Sequence, residues 1–165
     1  MLAFAFAAAF ALLVWWFGTG AVLYVDGMPQ STHRRTMVVA TALGLGGALG
    51  IWATREATTI FGAYIAFSSA LMVWAWHELS FLMGWLTGPR REPCPSGAEG
   101  WKRFTYATEV VLHHEIALAL TLAAVAWLTA SAPNPIATWT FAALWVMRLS
   151  AKLNLFLGVR NTSEA

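Results

Sequence analysis

The stretch TIFGAYIAFSSALMVWAWHELSFLMGWL, from Thr59 to Leu86, decides the fold class. It is a long, nearly unbroken apolar run, interrupted by the adjacent pair His77 and Glu78. A helix that crosses the hydrocarbon core of a bilayer takes roughly 20 apolar residues. Lipid offers backbone N–H and C=O groups no outside partner, so the run reads as a helix, and it is too long and continuous for a barrel strand.

Runs of the same character lie on both sides, at about Leu2–Val25, Met37–Ala53, Tyr106–Ala130 and Ile136–Val159. The expected fold is an all-α, polytopic integral membrane helix bundle of about five transmembrane helices. One membrane domain is expected over residues 1–165, with spans at about 2–25, 37–53, 59–86, 106–130 and 136–159. An ordered cytoplasmic loop is expected over 87–105, where Pro89, Pro93, Pro95 and the glycines beside them favour a non-helical excursion.

Composition agrees. The chain has 165 residues, 59% hydrophobic and 11% charged. A soluble domain carries roughly a quarter charged residues. The formal net charge of +2 reads as a set of topology signals and contacts to anionic lipid, not as a nucleic-acid surface. Ten tryptophans fit the membrane interface, where an indole ring lies in apolar surroundings and its N–H reaches water. Trp15, Trp16, Trp52, Trp85, Trp101 and Trp127 fall near expected span ends, whereas Trp74, Trp76 and Trp145 lie deeper and need another reason. The lone Cys94 has no partner for a disulfide or a thiolate metal site. The first span lacks the basic leading segment of a signal peptide and reads as a retained helix.

The connections orient the bundle. Arg34 and Arg35 fall in the first connection, Arg90, Arg91, Lys102 and Arg103 in the third, and Arg160 in the tail. Alternating spans put all of these on one side, and the opposite side holds Arg55 beside Glu56. The positive-inside rule then places the N-terminus outside and the C-terminus in the cytoplasm. Span two is glycine-rich. Its Gly46–Gly50 pair, with Gly47 on the same broad face, suits close packing of helix backbones within the chain.

The chemistry-bearing residues are ionisable groups inside the spans: His77 and Glu78, then Glu109, His113, His114 and Glu115, then Arg148, Lys152 and Asn154. Such groups cost several kcal/mol each if left unpaired in lipid, so they pair or serve a function. All fall in the cytoplasmic half of the bilayer on counting about 1.5 Å of rise per residue. Glu109 and His113 share one helix face, as do Arg148 and Lys152. His114 and Glu115 point about 100° and 160° away from His113, so span four cannot aim all four groups at one point.

Three readings compete. The first is a structural network in which Glu78, Glu109 or Glu115 pairs with Arg148 and Lys152. The second takes His77, His113 or His114 as axial ligand to the metal of a tetrapyrrole, a role imidazole suits. The third is a metal-dependent membrane enzyme with His and Glu ligands. Against it, neighbouring residues diverge on a helix, and no HExxH, repeated ExxH, GxSxG, P-loop or dinucleotide fingerprint is present.

Several strings go beyond generic membrane composition. They include His77-Glu78-Leu79-Ser80-Phe81-Leu82-Met83-Gly84, Thr87-Gly88-Pro89-Arg90, Pro93-Cys94-Pro95 and Gly100-Trp101-Lys102-Arg103-Phe104. Others are His114-Glu115-Ile116-Ala117-Leu118, Thr140-Phe141 with Leu144-Trp145, and the run from Met147 to Val159. In order and spacing these resemble the PuhE family, photosynthetic complex assembly proteins of purple and related phototrophic bacteria. The resemblance covers about residues 60–161 and is weaker before them. Members of that family continue past this point with further membrane segments.

The resemblance implies a multi-pass protein of the bacterial inner membrane, encoded among photosynthesis genes. Such a protein helps to assemble the reaction centre and core light-harvesting complex, with bacteriochlorophyll as the cofactor to consider. Its expected partners are reaction-centre and core antenna membrane proteins and the lipid bilayer, with no nucleic acid. The expected role is a non-catalytic assembly factor. A membrane-embedded metal-dependent enzyme acting on a lipid or pigment precursor, and a stable accessory subunit of the photosynthetic complex, are the alternatives. The family supplies no catalytic residues to carry across.

Overall fold

The structure, a computed structural model, describes residues 2–156. The end of the expected fifth span and Arg160 lie outside the described residues. The described residues form five α-helices: α1 Leu2–Asp26, α2 Gln30–Thr54, α3 Ile60–Leu82, α4 Gly100–Thr129 and α5 Ile136–Phe156. There is no strand among the described residues. Four of the helices, α1 to α4, are long and apolar enough to cross a membrane. In α5 the charges of Arg148 and Lys152 depress an otherwise apolar sequence.

Helix α3 is the hub. It packs against α1, α2, α4 and α5, and α4 also packs against α5. The α2–α3 contact is the most intimate, because a glycine recurs every third residue on the facing side of α2. A Cβ on Gly47 would stand 2.6 Å from the Ser69 carbonyl oxygen, and one on Gly50 would stand 2.2 Å from Ser69 Oγ. Gly44 rests against the Trp76 ring. Gly46 faces open space, so the intrachain contact uses Gly44, Gly47 and Gly50 and not the Gly46–Gly50 face. Two small cores result. Met37, Ala40 and Leu79 form one, and Ile51, Ala66, Ala70, Val125 and Ala137 the other.

Helix ends follow from local chemistry. Thr59 caps α3, its Oγ1 accepting from Gly62 N–H at 3.0 Å. Helix α3 stops at Leu82, before the expected span end at Leu86. There Gly84 adopts a left-handed φ of 75°, and the N–H groups of Trp85 and Leu86 fold back onto the Ser80 carbonyl. Helix α4 begins at Gly100, so the first residues expected in the 87–105 loop are non-helical and the last are helical. Helix α2 begins at Gln30, which puts Arg34 and Arg35 on a helix instead of in a connection. At the other end of the bundle, buried Asn134 ties the α4–α5 turn to the α2–α3 turn. Its Nδ2 donates to the Thr54 carbonyl at 2.9 Å, and its backbone N–H donates to the Arg55 carbonyl at 3.1 Å.

The outward faces are apolar. Phe4, Trp16, Leu45, Ile60, Leu120 and Val146 are all well exposed, and no described residue of α1 is buried. An exposed apolar belt that spans the bundle is far larger than a protein in water tolerates. It suits a lipid surrounding.

Candidate functional site

The site lies where α3, α4 and α5 meet. Trp145, Arg148 and Lys152 recur at spacings of three and four residues and share one face of α5. That face meets Glu78 and Phe81 of α3 and His114 and Glu115 of α4. Arg148 Nη1 donates to Glu78 Oε2. Arg148 Nε lies 3.5 Å from Glu115 Oε1. This is ion-pair distance without hydrogen-bond geometry, and Nε has no hydrogen-bond partner among the described residues. The guanidinium also sits over the Phe81 ring, 5.1 Å from its centroid. Lys152 Nζ donates to Glu115 Oε1, and Trp145 Nε1 donates to Glu115 Oε2 at 2.9 Å.

His114 is fully buried, and its protonation follows from its partners. Arg148 Nη2 lies 3.3 Å from His114 Nδ1, and a guanidinium can only donate. Nδ1 is therefore the acceptor. Nε2 carries the proton and donates to the His77 carbonyl at 3.1 Å. This assignment makes His114 neutral, so the 3.8 Å approach of Glu115 to Nδ1 is proximity and not an ion pair.

His77 is 3% exposed. Its Nε2 is 2.9 Å from Thr121 Oγ1, and its Nδ1 has no hydrogen-bond partner among the described residues. The other deep tryptophans find their reasons here too. Trp76 Nε1 donates to Thr41 Oγ1 at 3.1 Å, and Trp74 packs edge-on against Phe141 at 5.2 Å.

Not every residue named from sequence joins this cluster. Glu109 stands on another side of α4, 3.6 Å from Arg90 of the α3–α4 connection. That connection lies tightly on α4. A Cβ on Gly88 would fall 1.8 Å from the Glu109 carbonyl oxygen, and His114 N–H donates to the Thr87 carbonyl at 3.0 Å. Arg90 also stacks over Tyr106 at 4.2 Å and donates to the Glu92 and Pro93 carbonyls. Glu109 is thus held by the connection and is not part of the Arg148–Lys152 network. Asn154 and His113 are exposed and carry no hydrogen bond among the described residues. Their helical phase turns them away from the α3–α4–α5 seam.

Chemically the cluster closes on itself. Two carboxylates, Glu78 and Glu115, face two cations, Arg148 and Lys152, beside a neutral histidine and an indole, while Glu78 Oε1 and Arg148 Nε have no hydrogen-bond partner among the described residues. Among the described residues no three His, Cys, Asp or Glu side chains converge to hold a metal ion. Of the three histidines considered as tetrapyrrole ligands, His114 has both ring nitrogens engaged, and His77 is enclosed by its neighbours. His113 alone presents its imidazole outward. Sequence reading missed Thr121 as the partner of His77 and Asn134 as a tie between turns. The signal for Asn134 was an amide flanked by Pro133 and Pro135, which removes helix from both sides.

The family model described as "Protein of unknown function (DUF3623)" matches residues 1–165. The chain belongs to the DUF3623 family. The match extends beyond the 60–161 region in which characteristic strings are densest. This DUF3623 chain is 41% identical over 152 residues to a protein of Rhodobacter capsulatus described as an uncharacterized 30.4 kDa protein in the puhA 5' region. The alignment covers 90% of this chain and 56% of that relative, so the chain spans about half the relative's length. No solved structure matches the DUF3623 chain.

Proposed function

We propose that the chain is an integral membrane assembly factor for the bacterial photosynthetic reaction centre and core light-harvesting complex. It acts without catalysis, by holding partner transmembrane helices against its own bundle. The observation that carries this reading is the pairing of a polar cluster closed on itself with an apolar exterior left uncovered, most of all along α1. A cluster whose carboxylates and cations engage one another stiffens a bundle but offers little to a substrate. The position of the Rhodobacter capsulatus relative beside puhA, and the resemblance to the PuhE family, supply the photosynthetic setting.

In this reading the protein crosses the bacterial inner membrane five times, with the N-terminus outside and the C-terminus in the cytoplasm. Its partners are reaction-centre and core antenna subunits. If bacteriochlorophyll is carried, His113 fits best as its axial ligand, because its imidazole is exposed and has no hydrogen bond among the described residues. The macrocycle would supply the metal, and the chain would supply one imidazole nitrogen.

The test is affinity isolation of the tagged protein from phototrophic membranes during and after a burst of complex synthesis. Newly made reaction-centre and antenna subunits co-isolate during the burst and fall away as complexes mature. Recovery at a constant ratio with mature complex would instead make the protein a stable accessory subunit. Recovery of no photosynthetic subunit at either time would sink the proposal.

A further inference from the structure

Helix α4 outruns α3 at one end. His114 Nε2 donates to the His77 carbonyl, so these two residues lie at one level of the bundle. Helix α3 ends at Leu82, five residues beyond His77, whereas α4 runs fourteen residues from His114 back to Gly100. The difference is nine residues, roughly 14 Å of rise. Helix α3, with 23 residues, is itself about as long as the hydrocarbon core is thick. The first turns of α4 therefore stand beyond the hydrocarbon and cross the headgroup layer, beside the α3–α4 connection.

This end of the bundle carries an excess of cations. Lys102 on α4, Arg91 in the connection, and Arg34 and Arg35 near the start of α2 are all exposed. Their side chains have no hydrogen bond or ion pair among the described residues. Met37 shares a core with Leu79, which sets Arg34 and Arg35 about level with the end of α3. Arg103 adds a further cation on the same turn of α4 as Lys102. Among the described residues the carboxylates at this end, outside the Arg90–Glu109 pair, are Asp26, Glu92 and Glu99, fewer than the cations. At the opposite end Arg55 is paired with Glu56. Beside Lys102, Trp101 is 82% exposed and stacks edge-on against Phe104 at 5.6 Å. A soluble acidic partner would match the cations and leave these rings in water. A membrane surface matches both, because its phosphates meet the cations and its upper acyl carbons meet the rings.

We infer that this end of the bundle binds the headgroups of anionic phospholipids, with the overhanging turns of α4 and Arg91 making one contact and Arg34 and Arg35 another. The surface stands apart from the assembly role and does not depend on it.

The experiment mixes the full chain, purified in a neutral detergent, with equal amounts of phosphatidylglycerol and phosphatidylcholine. Lipids that stay bound are counted by native mass spectrometry. Phosphatidylglycerol is expected to be retained about fivefold over phosphatidylcholine, the factor that one cation near an anionic headgroup contributes. The preference weakens as ionic strength is raised. Arg91→Gln with Lys102→Gln is expected to lower it, as is Arg34→Gln with Arg35→Gln, and the four substitutions together abolish it. These side chains are exposed and hold nothing in the fold, so the variants are expected to unfold as the parent does. Arg55→Gln removes the same charge at the opposite end and leaves the preference unchanged. Equal retention of the two lipids by the parent chain, or a preference that the fourfold variant keeps, would overturn the inference. Displacement of phosphatidylglycerol by a soluble polyglutamate peptide at equal concentration would assign the surface to an acidic protein segment and overturn it too.

Discussion

Arg148 holds Glu78 directly, lies beside Glu115, and donates toward His114, so three helices meet on one side chain. Replacing it with alanine leaves Glu78 without its cation, whereas Glu115 keeps Lys152 and Trp145. Arg148→Ala is expected to cost about 3–5 kcal/mol, the usual result of stranding a buried charge. A thermal unfolding series in detergent, followed by tryptophan emission, measures this. The double variant Arg148→Met with Glu78→Leu is expected to recover much of the loss, because no uncompensated carboxylate remains. An unfolding profile unchanged by Arg148→Ala would mean that the guanidinium reaches water and holds nothing. Asn134→Ala is expected to cost about 1–3 kcal/mol, since it removes the donor to the Thr54 carbonyl in a buried turn. At this scale the sequence told which residue types must find partners, because ionisable groups in lipid are costly. It did not tell which partners they find. Glu109 shares residue type and membrane half with Glu115, but its place on α4 carries it to Arg90, and the loop that supplies Arg90 is invisible to helical counting.

The elements meet through backbone contact as much as through side chains. Gly47 lies against the Ser69 carbonyl and Gly88 against the Glu109 carbonyl, both closer than any Cβ allows. Gly47→Ala must push α2 from α3 and is expected to cost about 1–3 kcal/mol, as overpacking commonly does. Gly46→Ala, facing open space, is the matched control and is expected to be neutral. Gly88→Ala lifts the Thr87–Arg90 segment off α4. Faster proteolysis in the α3–α4 connection and faster amide exchange at His114 are the expected signs, and unchanged protection at His114 would contradict the docking seen here. Helices were legible as apolar runs, and their ends less so. Hydropathy could not see that Gly84 would turn left-handed and end α3 before Trp85, or that α4 would start at Gly100 among polar and basic residues. The glycine-rich character of α2 was legible, but the facing stripe was the three-residue one, set by how α3 crosses it.

For the whole molecule, the other four described helices gather around α3, and α1 leans on it with its other faces open. Five spans with the N-terminus outside predict that the α3–α4 connection is cytoplasmic. Cys94, free and exposed in that connection, tests this without any added reporter. A membrane-impermeant maleimide is expected to label it in inside-out vesicles and not in intact spheroplasts, and the reverse would invert the topology. The all-helical membrane class was legible from composition and run length alone, because lipid restricts backbone so severely. The centrality of α3 was not, since every helix has an apolar face and only packing selects which one lies inside. The most direct test of the assembly role is the near-infrared absorption of membranes from a phototrophic strain that lacks the gene, beside the same strain complemented with it. The proposed role predicts reaction-centre and core antenna bands well below those of the complemented strain under phototrophic growth. Bands of equal height in the two strains would contradict it.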